Sequence, residues 1–600
     1  MELFERIVTI DFETEAIDGP LPPKPVGVAI KYGSGRSKYY SWGHPEGNNS
    51  TFEEAQRLLR DAVLSPCLYH NAQFDIAVGL SHMKVAFPAE LHDTLLLLFL
   101  YNPHAQTLAL KPASEKLLDM PPEEQDLIKE WILLNVPEAK PSTAGAYISR
   151  VPAKYVAIYA CGDVDRTYEL FKLLYPKCRG AAYDRERQLT PILVNNTLEG
   201  ISIDATKLVH DYTFYLANHT EVAGRIYKKL GSTFNISSGE ELAAAIVKSD
   251  VAVSWIYTAT GKRSTSKVNL ASAIKDSELL ALLAYHSTLS TYLESFFTSW
   301  VNKTNDGILH FSWNQVRNNE ASKSAVGTRT GRLSSQPSML NVPKTPPKFD
   351  PLYKLPPLPK MRSYLLPDFG DNWISSDYQA QEVRLLAHYE DGALMQAYRE
   401  DPQLDVHQLI ASMLSSLLGK EVSRRNAKTI VFSLLYGQGL AATAEALGCS
   451  VEEAQATRAG FYKVVPGIRA VQASIKYSTD RGLPIKTFGK REYFKEPSKE
   501  IKDKRTGMLR YADFGYKMLN YLIQGSAADM TKQALINYNT IKRDGRMLLS
   551  VHDQICISGP PAEAKILREA MCDIKLDVPV VVDLSMGPNF ADLEDIEWNT

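Results

Sequence analysis

Carboxylate side chains near the amino terminus have a spacing that would bring them together. The apolar segment Ile7–Ile10 is predicted to be a β-strand, and it leads directly into Asp11 and Glu13. Because side chains alternate along an extended chain, Asp11 and Glu13 are expected to point to the same face. A charged strand end is the simpler interpretation of such a pair, and a metal-binding site is the other. Further residues have to decide between these interpretations.

Two more acidic residues each follow a polar neighbour by four positions. Asp75 follows Asn71 in HNAQFD, and Asp163 follows Tyr159 in YACGD, so each pair is predicted to share one face of a helix. Carboxylates are the oxygen ligands that Mg²⁺ prefers, and two such ions can activate water and stabilise the leaving oxygen of a phosphodiester. The combined set therefore indicates phosphodiester hydrolysis.

The carboxy-terminal half contains a second pair of carboxylates. WISSDYQAQEVRLL predicts a strand that ends at Asp377, followed by a helix with Glu382 and Arg384. MLLSVHDQICIS predicts two short apolar strands that meet at His552 and Asp553. On neighbouring strands Asp377 and Asp553 would face each other, and two facing carboxylates are what two-metal nucleotidyl transfer requires.

A helix between these two segments combines basic and aromatic residues. Arg424, Lys428, Phe432 and Tyr436 follow one another at intervals of four, which places them along one side of the helix. The two cations can neutralise a triphosphate, and the two rings can lie beside a sugar and a base pair. A basic amphipathic helix with aromatic core contacts is the alternative, and the flanking carboxylates favour the nucleotide site.

These segments resemble two known families. The amino-terminal set, with Tyr159 beside Asp163, resembles the DEDD 3′→5′ exonucleases in their tyrosine-containing variety. WISSDYQAQEVRLLAHY, SRRNAKTIVFSLLYGQG and MLLSVHDQICIS resemble motifs A, B and C of the family A DNA polymerases, which are of the bacterial polymerase I type. The resemblance extends in order over nearly the whole chain through TRTGRLSS, VVPGIRA, KTFGKREYF, NYLIQGSAADM and GPNFADLE.

The resemblance implies that the amino-terminal carboxylates bind two Mg²⁺ ions, with Mn²⁺ as a substitute. Asp11, Glu13 and Asp163 would hold the first ion. Asp11 and, through water, Asp75 would hold the second, and Tyr159 would orient the attacking water. These residues would form a proofreading 3′→5′ exonuclease.

The resemblance likewise implies a template-directed DNA polymerase that acts in DNA replication. Asp377 and Asp553 would hold two metal ions, and Glu382 would act as the steric gate against a ribose 2′ hydroxyl. Phe432 in place of Tyr implies discrimination against dideoxynucleotides. The nucleotide would be bound by Arg424, Lys428, Phe432, Tyr436 and Glu382, and the DNA by Arg332, Asn520, Gln524 and His552.

Several positions depart from the family pattern. Gln554 stands where the family usually has Glu, so a carboxylate beside the metal ligands is lost. Tyr516 stands where bacterial members have Arg, which puts one template contact in doubt. Ser433 replaces a typical Gly, and Ala380 and Gln381 replace a polar-then-apolar pair. Catalysis is still expected, because the metal-ligand positions of motifs A and C are intact.

The length of the chain requires several domains to position these residues. A chain of 600 residues is too long for a single hydrophobic core. Strands and helices alternate up to about residue 180, Tyr183 to Phe311 is mostly helical, and the Pro-rich stretch Pro343–Pro359 is interpreted as a surface loop. We expect a mixed α/β and α+β multidomain fold, a ribonuclease H-like exonuclease followed by a right-hand polymerase. The predicted domains are the exonuclease (1–182), thumb and start of the polymerase (183–320), palm with motif A (321–390), fingers with motif B (391–505) and palm with motif C (506–600).

Composition and charge limit the expected location of the protein and the way it could bind DNA. Six cysteines without a CxxC pair argue against a zinc site and a disulfide framework. No apolar run is long enough for a membrane helix and no secretion signal is seen, so we expect a cytoplasmic protein, in a bacterial host cell if a bacteriophage encodes it. A net charge of −2 gives no overall attraction to nucleic acid. Binding must depend on basic clusters at 481–511, Arg424–Arg425–Lys428 and Lys542–Arg543–Arg546.

The expected partners are primer–template DNA and deoxynucleoside triphosphates, with helicase–primase or other replisome proteins as further candidates for a monomeric enzyme. No segment precedes the exonuclease set, so a separate 5′ nuclease domain is not expected. A compact bacteriophage replicase is the preferred source, with a bacterial or organellar repair enzyme as the alternative. Two other functions stay open: an exonuclease whose polymerase half is crippled by Gln554, and a structural DNA-binding protein of the replisome.

Overall fold

The computed structural model describes residues 2–252, 254–258, 261–317, 327–502 and 508–596. Two of the predicted domain boundaries, at 320/321 and 505/506, lie outside these residues. Within the described part of the chain, no helix has both the length and the apolar character needed to cross a membrane.

The amino-terminal part is built around a five-stranded mixed sheet with the strand order β3-β2-β1-β4-β5. The long helix α7 packs against β1 and β2. The helices and strands of this part are α1 (Glu2–Arg6), β1 (Val8–Thr14), β2 (Pro25–Tyr32), β3 (Lys38–Ser41), α2 (Phe52–Ala62), β4 (Pro66–Tyr69), α3 (Ala72–Val78, continued as a π-helix over Gly79–Met83), β5 (Glu90–Asp93), α4 (Thr94–Tyr101), α5 (Leu110–Leu118), α6 (Glu123–Asn135) and α7 (Ala153–Cys178), with a 3₁₀ helix at Ala144–Arg150.

Strand β1 is longer than predicted. It continues to Thr14, so Asp11 and Glu13 lie within the strand, in register with Ala29 and Gly27 of β2. The neighbouring strand β2 is buried along nearly its whole length, which explains why its apolar sequence shows no alternation with polar residues. The expected convergence of the two carboxylates on one face therefore holds, but inside the sheet rather than at its edge.

The middle part is mostly helical, as predicted for Tyr183 to Phe311. Asp204 and Asp276 begin two of its helices by accepting hydrogen bonds from backbone N–H groups of the first turn. The elements are α8 (Ala181–Glu199), β6 (Ile201–Ile203), α9 (Ala205–Leu230), α10 (Gly239–Lys248), α11 (Lys267–Ala273), α12 (Ser277–Tyr292, continued as a π-helix over Leu293–Thr298), α13 (Ser299–Lys303), β7 (Thr304–Asn305), β8 (Ile308–Leu309), β9 (Ser312–Asn314) and β10 (Ser334–Gln336).

The carboxy-terminal part contains an antiparallel sheet with the order β17-β18-β12-β19-β20 and a group of helices between its strands in sequence. The segment 343–359 forms a connection with one short 3₁₀ turn, as predicted. The elements are β11 (Leu365–Leu366), β12 (Asn372–Tyr378), α14 (Gln381–Glu390), α15 (Ala393–Glu400), α16 (Val406–Leu418), α17 (Arg424–Leu435), α18 (Leu440–Leu447), α19 (Val451–Val464), α20 (Gly467–Asp480), β13 (Ile485–Lys486), β14 (Glu492–Tyr493), β15 (Lys499–Lys502), β16 (Leu509–Ala512), α21 (Met518–Ile541), β17 (Arg546–Val551), β18 (Gln554–Gly559), α22 (Glu563–Cys572), β19 (Val582–Gly587) and β20 (Glu594–Asp595), with short 3₁₀ turns at Pro351–Tyr353, Met361–Tyr364 and Gly515–Lys517.

A buried ion network joins α8 to α21. The Glu186 carboxylate, which is fully buried, accepts hydrogen bonds from Lys532 Nζ at 2.7 Å and from Arg491 Nη2 at 2.7 Å. Arg491 also pairs with Asp529 at 2.7 Å, and Arg185 with Asp529 at 3.1 Å. Burial lowers the pKa of Lys532 to about 8 against the attraction of Glu186. The network ties the helix that follows the amino-terminal part to the carboxy-terminal core.

Candidate active sites

Two neighbouring strands of the carboxy-terminal sheet carry the predicted carboxylate pair. Asp377 lies in β12 opposite Gln554, and Asp553 lies in the tight turn between β17 and β18. His552 precedes it with φ +59°, a left-handed conformation that allows a turn of only two residues. The Tyr378 N–H donates to the Asp553 carbonyl at 3.2 Å, and the Asp553 carboxylate is close enough to raise the pKa of Asp377, so the two carboxylates are neighbours as predicted.

A third carboxylate, which sequence reasoning missed, lies beside this pair. Asp583 of β19 is in register with Asp377 and accepts a hydrogen bond from Gln379 Nε2 at 2.6 Å. The surrounding protein removes water from Asp377, and Asp553 and Asp583 repel its charge, so the pKa of Asp377 is raised to about 7. Such a site favours the uptake of positive charge.

The basic and aromatic residues lie along α17. Ser423 begins this helix by accepting a hydrogen bond from the Asn426 N–H. Arg424 and Lys428 are exposed near its beginning, and Lys428 Nζ lies 5.8 Å from the centre of the Phe432 ring. Tyr436 comes just after the last helical residue, and its ring contacts that of Phe432 at 5.6 Å between centres.

The predicted nucleotide-binding residues line one cavity of about 380 Å³. Its lining combines cationic side chains, aromatic rings and carboxylates, and includes the turn that carries Asp553. It is formed by Arg332, Ala380, Gln381, Glu382, Val383, His407, Arg424, Lys428, Phe432, Tyr436, His552 and Asp553. Residues from distant segments therefore form one site large enough for a nucleotide.

Glu382 is held within this cavity by two partners. It forms an ion pair with Arg332 and accepts a hydrogen bond from the Tyr436 hydroxyl at 3.1 Å. The helix that carries it begins after Ala380, whose φ of +49° is strained for a residue with a side chain. Gln524 of α21 is hydrogen-bonded to Tyr436. Gln524 and Asn520 are not among the described residues that line the cavity.

His407 of α16 also lines the cavity and was missed from the sequence. It is buried, and its pKa is lowered to about 4 by burial and by Lys428 and Arg424 nearby, so it is neutral at pH 7. In the sequence, a single His in an amphipathic helix looks the same as a residue of the hydrophobic core. His407 reaches the site because α16 packs on α17.

The amino-terminal carboxylates also come together. Asp75 Oδ1 accepts a hydrogen bond from the Phe12 N–H at 2.9 Å, which places it beside β1 between Asp11 and Glu13. Burial, then Asp75, Glu13 and Asp163, raise the pKa of Asp11. Burial raises the pKa of Asp75 to about 7. The cluster is therefore a concentration of negative charge in a place with little water.

Tyr159 and Asp163 share one face of α7 as predicted, and burial and the Asp163 carboxylate raise the pKa of the Tyr159 hydroxyl. Asn71, by contrast, does not share a helical face with Asp75. It has φ +69° and precedes α3, because its N–H and that of Ala72 are held by the buried Asp93 carboxylate. The prediction of a helix through Asn71 was wrong.

Lys111 of α5 lies inside the carboxylate cluster and was not anticipated. Its Nζ donates to Asp163 Oδ2 at 2.9 Å and lies 3.7 Å from the centre of the Tyr159 ring. Asp163 Oδ1 is buried and accepts no hydrogen bond from any residue that the structure describes. The Lys111 ammonium group therefore neutralises part of the cluster, and Arg166 Nη1 lies 3.8 Å from the other oxygen, Asp163 Oδ1.

A sequence model of DNA polymerase family A matches residues 212–592, which is more than half of the chain. The chain belongs to DNA polymerase family A. The chain is 26% identical to the DNA polymerase I of Chloroflexus aurantiacus over 98% of its own length and 61% of that protein. The DNA polymerase I of Pseudomonas aeruginosa is 26% identical over 98% of the chain and 63% of that protein. The chain thus spans less than two thirds of these relatives.

The fold of this family A member is also that of a solved structure. The POL domain of Pol1 from M. smegmatis, in complex with DNA primer-template and dNTP, superposes with a TM-score of 0.74. The match covers 97% of this chain and 95% of that chain at 20% identity. The predicted mixed α/β multidomain fold and the predicted family are therefore confirmed.

The carboxylates of this family A member suit Mg²⁺ by their chemistry. Among the described residues, no three His, Cys, Asp or Glu side chains converge closely enough to hold a metal ion by themselves. Mg²⁺ is commonly held by one or two carboxylates together with substrate phosphates. The neighbouring carboxylates of Asp377 and Asp553, and the buried cluster of Asp11, Glu13, Asp75 and Asp163, fit that mode.

Proposed function

We propose that this chain is a template-directed DNA polymerase that adds deoxynucleotides to a primer 3′ end, and that its amino-terminal part is a 3′→5′ proofreading exonuclease. The observation that carries the proposal is the 380 Å³ cavity, in which cations, aromatic rings and a carboxylate turn surround one nucleotide-sized space. The solved relative with primer-template and dNTP supports it.

Different residues of the cavity would bind different parts of the nucleotide. Arg424 and Lys428, exposed near the beginning of α17, neutralise the triphosphate. Phe432 and Tyr436, one and two turns farther along, lie beside the sugar and the base. Glu382, held by Arg332 and Tyr436, occupies the space that a 2′ hydroxyl would need. The same residues therefore bind a deoxynucleotide and reject a ribonucleotide.

Asp377 and Asp553 would hold the divalent ions of the polymerase, Mg²⁺ or Mn²⁺. Bound there, two such ions lower the pKa of the primer 3′ hydroxyl and stabilise the leaving pyrophosphate. Gln554, opposite Asp377 in the sheet, keeps a polar group where the family usually has a carboxylate. His552, Asn520 and Gln524 are proposed to contact DNA on the other side of the cavity from the triphosphate.

The exonuclease would use Asp11, Glu13, Asp75 and Asp163 to hold the same kind of ion against a phosphodiester. The Tyr159 hydroxyl, on the same helical face as Asp163, is proposed to orient the attacking water. Its pKa is raised well above the usual value by burial and by Asp163, so it acts as a hydrogen-bond donor and not as a base.

The division into exonuclease (1–182), thumb (183–320), palm (321–390 and 506–600) and fingers (391–505) is part of the proposal. Cytoplasmic location, a bacteriophage source, a monomeric state and replisome partners remain predictions. Exonuclease activity without synthesis is the second candidate function, and the observation that favours it is Gln554 directly opposite Asp377.

A gel assay of a 5′-labelled primer on a longer template, with Mg²⁺, separates these functions. With all four deoxynucleotides the primer should lengthen, and without them it should shorten. Shortening under both conditions would reject the polymerase and assign the loss to Gln554, in which case Gln554→Glu should restore extension. A primer that never shortens would reject the exonuclease.

A further inference from the structure

A second cavity, of about 330 Å³, lies between α20 and the segment that leads into α21. None of its lining residues lines the nucleotide cavity or belongs to the amino-terminal carboxylate cluster. Tyr516 is at its edge with 55% of its surface exposed, whereas Ile475 and Leu519 line it as nearly buried apolar side chains. An exposed aromatic ring above apolar side chains offers a flat group a place to stack.

The charged side chains of this cavity are already paired with each other. Lys476 Nζ donates to Asp480 at 2.7 Å, and Lys495 Nζ donates to Asp513 at 2.8 Å. These four residues carry no net charge together, so they offer hydrogen bonds but little attraction for a free phosphate. A neutral, flat group with donors and acceptors at its edge suits such a cavity, and a nucleobase has these properties.

The position of Tyr516 relates this cavity to the proposed nucleotide site. Its ring and carbonyl pack against Gly437, which has φ +65° and follows Tyr436 directly. If the triphosphate binds at Arg424 and Lys428, the base lies at the opposite end of α17, roughly 18 Å from the beginning of the helix. The template strand has to pass that end to pair with the incoming base.

We propose that this cavity binds an unpaired template nucleotide ahead of the insertion position, with its base stacked on Tyr516. The proposal rests on the proposed polymerase function, because that function determines which end of α17 the template passes. It gives a function to Tyr516, which stands where the family resemblance leads us to expect Arg. Single-stranded DNA is commonly bound by such stacking on exposed rings.

The test compares template overhangs of different length and includes two substitutions at Tyr516. Fluorescence anisotropy measures the affinity for a primer–template with one unpaired template nucleotide and with six. Loss of one stacked base is expected to weaken binding of the longer overhang about tenfold in Tyr516→Ala, relative to the shorter one. Tyr516→Phe should bind like the wild type. Tyr477→Ala is the matched control, because Tyr477 is 60% exposed on α20, which lines the cavity, but packs against Arg481 outside it.

A second readout identifies the contact directly. A template with 5-iododeoxyuridine at the first, second or third unpaired position is irradiated on the wild-type protein, and the crosslinked peptide is mapped. A crosslink at Tyr516 from one of these positions supports the proposal. Equal affinities in Tyr516→Ala, together with crosslinks elsewhere, would overturn it.

Two other outcomes separate the proposals from each other. If Tyr516→Ala weakens binding only when a displaced downstream strand is present, the occupant is that strand and the template assignment is wrong. If the wild type neither binds nor extends a primer–template, the polymerase function itself fails. Extension by the wild type with no effect of Tyr516→Ala rejects the cavity proposal alone.

Discussion

Replacing Glu186 by Gln should destabilise the protein far more than its small chemical change suggests. The side chain is fully buried, and its carboxylate accepts hydrogen bonds from Lys532, Arg491 and Gln315. With Arg185 and Asp529 the network holds three cations and two anions, a net charge of +1. Glu186→Gln leaves three cations and one anion, so the net charge of this buried network becomes +2.

Breaking a buried ion pair by removing one partner costs about 3–5 kcal/mol, because the remaining charge is neither solvated nor compensated. We expect this loss in the free energy of unfolding, measured by urea titration. Glu199→Gln is the control on the same helix: Glu199 is half-exposed and 3.7 Å from Arg546, so its change should cost about 0–1 kcal/mol.

The double variant Glu186→Gln/Lys532→Met tests the reason for the loss. It returns the net charge to +1, so it should recover about half of the stability that Glu186→Gln loses. A cost below about 1 kcal/mol for Glu186→Gln, or a double variant less stable than either single variant, would refute the account of this network.

Three further predictions concern pH, a close contact and sugar selectivity. The folded protein releases the Lys532 proton at a pKa of about 8 and the unfolded chain at about 10.4, so the unfolded chain binds more protons between these values. The stability of the wild type should therefore rise over this range relative to Lys532→Met, and a parallel pH dependence of the two would contradict the lowered pKa. Gly331→Ala should reduce primer extension at least about tenfold, because residue 331, which precedes Arg332, has φ +77° and a Cβ there would overlap the buried guanidinium of Arg491. Gly370→Ala, at φ +89° with no described atom within 4 Å, should leave extension unchanged, and equal effects of the two would refute the contact. Glu382→Ala should increase ribonucleotide incorporation in single-nucleotide extension assays, and unchanged sugar selectivity would exclude the steric gate.

Local sequence patterns predicted the elements that carry the motifs. The apolar strands around Asp377 and Asp553 and the four-residue spacing in α17 depend on neighbours in the chain, and both are present. Where a prediction failed, a distant residue was responsible. Asn71 precedes its helix because Asp93, 22 residues away, holds its N–H.

The missed residues of the two sites have the same explanation. Lys111 reaches Asp163 across 52 residues, and Asp583 meets Asp377 only through the pairing of β12 with β19. His407 enters the nucleotide cavity because α16 packs on α17. A single Lys, Asp or His has no periodicity of its own, so these contacts follow from tertiary packing and not from a sequence pattern.

The central claim is that one chain holds two separate active sites, and a separation of the two activities tests it most directly. Asp377→Ala and the double variant Asp11→Ala/Glu13→Ala are compared on the same labelled primer–template, with and without deoxynucleotides. We predict that Asp377→Ala degrades the primer but cannot extend it, and that the double variant extends the primer but cannot degrade it. Continued extension by Asp377→Ala, or loss of both activities in either protein while it remains folded, would contradict the account.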